Sequence, residues 1–402
     1  MHVHIVGAGP CGLLIAYRLL QQGAQVSLYD QMSKTGGCWA TYKAPFREHS
    51  PRTITGAYRT LFSIIKELHT DPALQPYQAE IAGASLREFR PQDYPVLLFN
   101  LLVKSWDRPV KDFAEGLHPS SAAVLQRLAA VAEETWARTP MRTIITAVDY
   151  MGLHVFGTQF DPIRSFDEIL PLEKLIRQLG GNIFLGEKCT LIGDTLVTSR
   201  GSIKASSENP VVMATNGAQD ELAEPNATVS RNIQFHLPEP LQWTFENLFK
   251  PGVEAQVITR TSRESPSTIS CVLLNSRDFP QGDQAFAEMM YEHIRSQDSR
   301  LPEQMPAYST LKPHRPWLVT DARQKSLPLV RGYVFWPSFL NPGVPVPVNI
   351  LEGALQAGEL CAAEILLQRP RVLQPFPFRG WLILFLMGLM ALLKILAYVN
   401  GN

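Results

Sequence analysis

The chain has 402 residues, of which 45% are hydrophobic and 18% are charged. That length allows a large core and two closely joined domains, and the composition excludes an intrinsically disordered protein. Lys plus Arg and Asp plus Glu number 37 each, and no basic run stands out, so we expect no nucleic acid partner. The five scattered cysteines lack metal-ligand spacing, which predicts reduced thiols, no metal site and a cytosol-facing protein.

The first forty residues predict a strand, a glycine-rich turn and a helix. A short apolar run ends at Gly7, and a helical pattern follows Gly12. Gly7 permits the tight turn, Gly9 lets the backbone approach a pyrophosphate, and Gly12 lets the helix pack closely on the strand. Pro10 and Cys11 complete the turn, and the N–H groups at the helix N-terminus would face the phosphates.

A second strand, residues 25–29, ends in Asp30, whose carboxylate is placed to accept hydrogen bonds from a ribose diol. The Gly36-Gly37 pair that follows resembles the flavoproteins with two dinucleotide-binding domains, in which FAD lies along the first βαβ unit. The flavin amine oxidase and phytoene-desaturase-like superfamily usually has Gly-Gly-Arg here, whereas Cys38-Trp39 is similar to the Gly-Gly-x-Trp of flavin monooxygenases. The resemblance implies FAD as the cofactor, contacted by these four residues.

The middle of the chain resembles the second part of the FAD domain in the same superfamily. A helix over 170–179 precedes Gly-Gly, a small set of strands and an apolar strand over 210–213. That last strand runs into Ala214-Thr215, a turn that passes near the cofactor in the superfamily. The predicted small strands are 182–185, 190–192, 195–198 and 202–204.

A core strand over 333–339 and a helix over 349–366 resemble the last part of the FAD domain. Asn349 as N-cap with Glu352 three residues later makes a capping-box-like helix start. The resemblance places Asn349 and Ile350 at the isoalloxazine ring. Ser338 lies where the superfamily has Gly-Asp, and Ile350 replaces a tyrosine of the monoamine oxidase aromatic cage, which favours an apolar substrate.

Residues 46–58 resemble a flavin-proximal segment of desaturase-like members. On that resemblance His49 and Arg52 are the candidate catalytic residues, since such a pair could orient substrate or stabilise charge. The alternative is a loop in which both side chains satisfy backbone carbonyls.

We expect an α/β fold in which a Rossmann-like FAD domain of the amine oxidase type is interleaved with an α+β substrate domain. Helices are predicted at 60–68, 96–104 and 122–136 with no alternating strands between 41 and 144, and strands at 255–261 and 268–274 precede a helix at 284–296. The expected FAD-binding parts are 1–55, 160–220 and 328–370, and the substrate-domain parts are 56–159 and 221–327.

Residues 381–399 form an apolar run whose only charge is Lys394. A helix of this length spans about 28 Å, close to the roughly 30 Å core of a bilayer. Arg369, Arg371 and Arg379 precede the run, so we expect a C-terminal membrane-anchor helix over 379–399 with the catalytic part in the cytosol. A buried terminal helix is the alternative.

These features predict an FAD-dependent oxidoreductase that passes hydride from an apolar organic substrate to flavin N5, with dioxygen or a membrane quinone as electron acceptor. An amine or polyamine substrate is the second hypothesis, and a redox-neutral flavin isomerase is the third. A non-catalytic binding protein resembling the Rab GDP-dissociation inhibitors is the hypothesis from a different class. The complete phosphate-binding turn argues against it.

Overall fold

The computed structural model describes the following residues of the chain: 1–39, 54–55, 58–70, 75–77, 89–131, 135–151, 159–161, 169–215, 228–229, 231–239, 246–250, 253–262, 265–273, 281–297, 299–311, 318–319, 329–338, 341, 343–344, 351–368 and 388. Four predicted site residues lie outside these ranges, namely His49, Arg52, Asn349 and Ile350.

The helices and strands are numbered in chain order. The helices are α1 (Pro10–Gln21), α2 (Arg59–Glu67), α3 (Tyr94–Val103), α4 (Val110–Phe113), α5 (Pro119–Val131), α6 (Met141–Met151), α7 (Leu172–Gln178), α8 (Asp283–Gln297) and α9 (Leu351–Ile365). The strands are β1 (His2–Val6), β2 (Gln25–Asp30), β3 (Ile54–Thr55), β4 (Gln75–Tyr77), β5 (Gln159–Asp161), β6 (Asn182–Leu185), β7 (Thr190–Ile192), β8 (Thr195–Thr198), β9 (Gly201–Lys204), β10 (Val211–Met213), β11 (Thr228–Val229), β12 (Arg231–His236), β13 (Glu246–Lys250), β14 (Val253–Ser262), β15 (Ser265–Leu273), β16 (Tyr308–Leu311), β17 (Leu318–Val319), β18 (Val330–Arg331) and β19 (Val334–Phe335).

The central sheet has the strand order β18-β19-β10-β1-β2-β6. Strands β19, β10, β1, β2 and β6 are parallel, and β18 pairs antiparallel with β19 at one edge. The apolar content of these strands agrees with a parallel sheet that is covered on both faces. This sheet confirms the predicted α/β fold with a Rossmann-like unit, whereas the predicted domain limits stay predictions.

Alternation of side chains along each strand divides the core into two layers. Val3 and Ile5 of β1 join the hydrophobic cluster under the helices, whereas Val6 and Tyr29 join the cluster under the antiparallel β7-β8-β9 sheet. Successive side chains of a strand point to opposite faces, so one strand serves both clusters. The central sheet is therefore covered by α1, α7 and α9 on one face and by the small sheet on the other.

A buried ion-pair network joins α1, α2 and α9. Arg18 donates from Nη2 to Glu67 Oε2 at 2.9 Å and to Glu359 Oε1 at 2.6 Å, and from Nε to the same Glu359 oxygen at 2.9 Å. Burial alone lowers the pKa of the Arg18 guanidinium, but the hydrogen bonds to the two carboxylates outweigh burial and raise that pKa above its ordinary value. The cation is held between two anions on separate helices.

Glu352 closes the start of α2 across the helix interface. Its buried carboxylate accepts hydrogen bonds from the backbone N–H groups of Thr60 at 2.7 Å and Leu61 at 3.1 Å, and from Gln356 Nε2 at 3.1 Å. The first N–H groups of a helix have no partner inside the helix, and a carboxylate also interacts favourably with the positive end of its dipole. A residue of α9 thus supplies the cap that α2 lacks in its own sequence.

Two further units lie outside the central sheet. Helices α3 to α6 share a hydrophobic cluster that includes Phe113 and Val124. The antiparallel sheet β13-β14-β15-β12-β16 packs against α8. The predicted strands at 255–261 and 268–274 and the predicted helix at 284–296 therefore form one α+β unit.

Some predicted elements were wrong in extent. Short strands β3 and β4 lie in the region predicted to have none, because both pair with the distant β5 and local sequence carries no trace of such pairing. The predicted strand over 333–339 is reduced to β19, since Pro337 has no N–H for a ladder. Helix α5 begins earlier than predicted, at Pro119, a residue favoured in the first turn.

Among the described residues, no helix has both the length and the apolar character needed to cross a bilayer. The apolar run 381–399 lies outside the described ranges except for Gly388. The predicted C-terminal anchor helix therefore stays a prediction.

We expect Arg18→Met to lower the free energy of unfolding by about 3–5 kcal/mol, because the substitution leaves Glu359 buried without its cation. Denaturant unfolding followed by circular dichroism measures the change. Arg177→Met is the matched control, since the Arg177–Glu173 pair is half-exposed and should contribute less than about 1 kcal/mol. Equal losses in the two variants would contradict a stabilising role for the buried network.

Candidate dinucleotide-binding site

The candidate site lies at the carboxyl ends of β1, β2 and β10. Strand β1 pairs with β2 on one side and with β10 on the other. The chain first continues from β1 to β2, and the later strand β10 is added on the opposite side of β1. Such a topological switch point forms a crevice, and ligands of open α/β sheets bind there. Gly7, Asp30 and Ala214 are the residues that the three strands bring to this crevice.

Gly7 and Gly12 fill positions where no side chain fits. Gly7 has a φ of +109°, and a β carbon at this residue would lie 2.4 Å from the carbonyl oxygen of Ala214. A β carbon at Gly12 would lie 1.9 Å from the carbonyl oxygen of Gly7. These two glycines therefore allow strand β10, the turn and helix α1 to meet at van der Waals distance, as the sequence predicted for Gly12.

Gly9 has space beside it. Among the described residues, a β carbon there would have only Gly37 Cα in reach, at 4.0 Å, and the backbone is extended with φ −77° and ψ 177°. Gly9 is the N-cap of α1, none of the described side chains caps this helix, and Pro10 occupies its first turn. The N–H groups of the first turn, including those of Cys11 and Gly12, thus face an opening that suits an anion.

Asp30 is held in place by the turn that it follows. Its Oδ2 accepts the N–H of Ala8 at 2.7 Å, and its Oδ1 accepts the N–H of Met32 at 2.8 Å. A carboxylate has about four acceptor positions. One position on each oxygen therefore remains for a diol, and the two backbone bonds fix the direction of the group.

The Gly36–Trp39 segment closes over the glycine-rich turn. Gly36 donates its N–H to the carbonyl oxygen of Ala8 at 2.8 Å, and Trp39 donates its N–H to that of Gly36 at 2.8 Å. Gly37 has a φ of +55° and approaches Gly9 so closely that a β carbon would lie 3.0 Å from Gly9 Cα. The ring of Trp39 packs against the core beneath, and the side chain of Cys38 lies outside the described part.

Two buried polar atoms near the ends of β10 and β19 have no hydrogen-bond partner in the described part of the chain. They are the hydroxyl Oγ1 of Thr215 and the indole Nε1 of Trp336. Thr215 Cγ2 lies 3.1 Å from the β-carbon position of Gly7, which places this residue at the turn. Buried polar groups are rarely left unpaired, so both atoms are candidates for ligand contact. Sequence reasoning selected Thr215 and missed Trp336.

Ser338 lies in a turn beyond β19. Its backbone N–H donates to Asn341 Oδ1 at 2.6 Å, and the backbone N–H of Asn341 donates to the carbonyl oxygen of Ser338 at 3.0 Å. Asn341 is buried and stabilises the loop where the superfamily has Gly-Asp. Nothing in the local pattern had pointed to Asn341.

One family of known proteins matches the part of the chain that contains most of this site. Residues 5–68 match the family of NAD(P)-binding Rossmann-like domains. A stretch of 74 residues is 35% identical to Aplysianin-A of Aplysia kurodai, and it covers 17% of this chain and 13% of that protein. The chain therefore aligns with a small part of the length of this relative.

Solved structures share the fold over most of the chain. A putrescine oxidase redesigned for cofactor binding has a TM-score of 0.63 at 13% identity, with 91% of this chain and 98% of that one covered. An oxidoreductase from Methanosarcina mazei has a TM-score of 0.61 at 15% identity, covering 89% and 99%. A fatty acid isomerase from P. acnes has a TM-score of 0.54 at 15% identity, covering 77% and 85%. These similarities show that the chain shares its overall fold with these proteins, a putrescine oxidase among them.

We expect the Cys11 thiol to react slowly, although its side chain is only partly buried. A helix N-terminus usually lowers the pKa of a thiol, but desolvation by burial raises that of Cys11 to about 12. At pH 8 we expect iodoacetamide to alkylate Cys11 in the folded protein roughly 10²-fold or more slowly than in denaturant, since the unfolded pKa is near 8.5. Peptide mass spectrometry measures both rates. Fast native alkylation would show that the thiolate forms.

The fully buried Cys361 serves as the internal comparison for this experiment. Burial raises its pKa well above the ordinary value, and the neighbouring Cys11 adds to that shift. Both thiols should become reactive together when the protein unfolds.

Proposed function

We propose that the chain is an FAD-dependent oxidoreductase that binds FAD non-covalently at the switch point of its central sheet. The observation that carries the proposal is the contrast between the glycines. A β carbon would overlap neighbouring backbone atoms at Gly7 and Gly12, whereas at Gly9, where the helix N-terminus meets the crevice, it would not. A pyrophosphate at Gly9 would accept hydrogen bonds from the first turn of α1, and the adenosine ribose would bind the free positions of Asp30.

The two buried polar atoms without a described partner, Thr215 Oγ1 and Trp336 Nε1, support a dinucleotide in the crevice. The Thr215 hydroxyl can donate to or accept from a phosphate or sugar oxygen, and the Trp336 indole can only donate. A flavin dinucleotide offers acceptor oxygens along its whole extended length. When bound, FAD supplies a hydride acceptor, and the protein supplies orientation and electrostatics.

For the substrate we propose an apolar organic molecule such as an isoprenoid or a lipid derivative. The support is Ile350, which replaces an aromatic wall that would orient a small amine. His49 and Arg52 are proposed to orient substrate or stabilise charge beside the flavin. Among proteins of the same fold, one is named a fatty acid isomerase and another a putrescine oxidase. An amine or polyamine oxidase is therefore the second candidate.

We propose further that residues 381–399 attach the protein to a membrane with the FAD domain in the cytosol. The support is the apolar run itself and the three arginines that precede it. A membrane quinone or dioxygen would then be the electron acceptor. A non-catalytic binding protein is the alternative that absence of flavin would favour.

Gly9→Val should abolish flavin binding and leave the fold intact. The new side chain meets open space in the protein and fills the volume that the pyrophosphate needs. We expect the purified variant to retain little or no FAD, because the side chain would take the place of the phosphates. Visible absorption of the purified protein gives flavin occupancy, and circular dichroism gives the fold.

Two other glycines make this experiment specific. Gly282→Val introduces the same side chain where no atom of the described residues lies within 4 Å of the β carbon, so it should keep both flavin and fold. Gly12→Ala should disturb the fold itself, because its β carbon would overlap the carbonyl of Gly7. Full flavin occupancy in the Gly9 variant would overturn the placement of the cofactor.

Anaerobic stopped-flow measurements should separate the substrate hypotheses. Benzylamine and spermidine are expected to reduce the bound flavin slowly or not at all, since no aromatic cage would orient the C–H bond. His49→Ala should slow reduction by the fastest apolar probe by roughly 10²-fold if His49 is an acid–base or charge-stabilising group. His118→Ala, in a turn of the α3–α6 unit, is the control. Rapid bleaching by either amine would favour the amine oxidase.

A further inference from the structure

Helix α3 exposes several of its apolar side chains to solvent. Phe99, Leu102 and Val103 are exposed over 63%, 71% and 58% of their surface. Together with the exposed Pro95 they follow the spacing i, i+4, i+7 and i+8, which places them on one face of a helix. We refer to these four residues as the outer face of α3. Large exposed apolar patches on a protein mark interaction sites.

The polar residue of α3 points the other way. Asn100 is buried, and its Nδ2 donates to the carbonyl oxygens of Phe113 and Glu115 at 3.1 and 3.0 Å. Leu97 faces the same interior cluster. Surface helices normally turn polar residues to water and apolar ones to the core. In α3 the outward side is apolar, so this side is suited to surroundings other than water.

Gly388, the one described residue of the apolar run 381–399, lies beside this helix. A β carbon at Gly388 would lie 3.8 Å from Leu98 Cδ2, which is ordinary van der Waals contact. Gly388 is seven residues after Trp381, or about 10 Å further along a helix. An amphipathic helix in a membrane interface lies about 5–10 Å deep. If residues 381–399 span a membrane as proposed, with Trp381 at its surface, Gly388 would lie about 10 Å deep. That depth agrees with the depth expected for an interfacial helix such as α3.

Three ion pairs within the protein lie near α3. The pairs join Lys104 to Glu115, Arg108 to Asp112 and Arg142 to Asp107. In these three pairs each cation is matched by an anion, so the pairs themselves add no net charge that would attract acidic lipid headgroups. Its attraction to a bilayer would come from apolar surface.

We propose that the outer face of α3 inserts into the acyl-chain region of the cytosolic leaflet, beside the membrane segment 381–399. The inference rests on the membrane attachment proposed above and adds a second, separate contact with lipid. It assigns to the protein a membrane-inserted surface built from the helical α3–α6 unit. The protein would thereby be held against the bilayer in one orientation.

The test uses the full-length protein in phosphatidylcholine vesicles that contain a phospholipid with a diazirine in its acyl chain. After irradiation, proteolysis and mass spectrometry identify the labelled peptides. We expect lipid adducts on 94–103 in roughly tenfold excess over the peptide of Ile192, which is 65% exposed and apolar but lies on the small β7-β8-β9 sheet. Phosphatidylserine in the vesicles should leave this ratio unchanged.

A double variant, Phe99→Gln with Leu102→Gln, should lower labelling of 94–103 roughly tenfold and leave labelling of 381–399 unchanged. Ile192→Gln is the matched control and should change neither. Both altered side chains in the double variant are exposed, so the circular dichroism spectrum should match that of the original protein.

Other results would overturn the inference. Labelling of 94–103 at the level of the Ile192 peptide would place α3 in water. Crosslinks between α3 helices of two chains, without lipid adducts, would assign the face to a dimer. Labelled 381–399 with unlabelled α3 would refute this inference alone. Labelled α3 in a protein without flavin absorption would refute the proposed oxidoreductase and leave the membrane surface standing.

Discussion

The close approach of backbone at the ends of β1 and β10 is the constraint on which the rest of the structure depends. The carbonyl oxygens of Ala214 and Gly7 occupy the places that β carbons of Gly7 and Gly12 would need. Helix α1 can therefore start directly at the switch point, and its first N–H groups reach the crevice. Were α1 displaced outward by a side chain, its N-terminus would no longer meet the ends of the strands. The geometry of the site is thus a consequence of close packing.

Packing of α9 on α1 extends this constraint to the far end of the chain. A β carbon at Gly358 would lie 3.1 Å from the carbonyl oxygen of Cys11, so α9 also crosses the start of α1 at short range. Arg18 and Glu359 tie the same two helices, and Glu352 caps α2. Buried charges are costly unless paired, so each of these contacts favours one register of the three helices over others. We infer that this network orients the start of α9 relative to the crevice.

The two units outside the central sheet differ in how they distribute apolar and polar side chains. The five-stranded sheet and α8 bury an ordinary amphipathic core, with Phe235 and Phe286 fully buried at its centre. In the helical α3–α6 unit, by contrast, α3 turns Asn100 inward and Leu102 outward. Packing among the described residues does not bury this side of α3. The insertion into a bilayer proposed above would account for the arrangement.

Much of the dinucleotide-binding unit could be predicted from the sequence because its determinants are local. Gly7, Gly12 and Asp30 act through turn geometry and strand ends, and the helices α1, α7 and α9 follow from apolar periodicity within a few residues of where they were expected. Two strands of the five-stranded sheet, β14 and β15, were equally readable, since alternation along a strand is a local signal.

Other features were decided only by tertiary structure. The pairing of β3 and β4 with β5, the cap that Glu352 provides for α2 and the unpaired Trp336 indole each depend on residues far apart in the chain. The apolar composition of α3 was visible in the sequence, but the face that would be buried was not. Periodicity shows where the apolar side chains lie on a helix, and it does not show which other segment packs against them. By itself, the sequence determined the phosphate-binding turn and the type of most elements. The tertiary structure decided which buried groups meet and which apolar face stays exposed, because both depend on contacts between segments that local pattern does not specify.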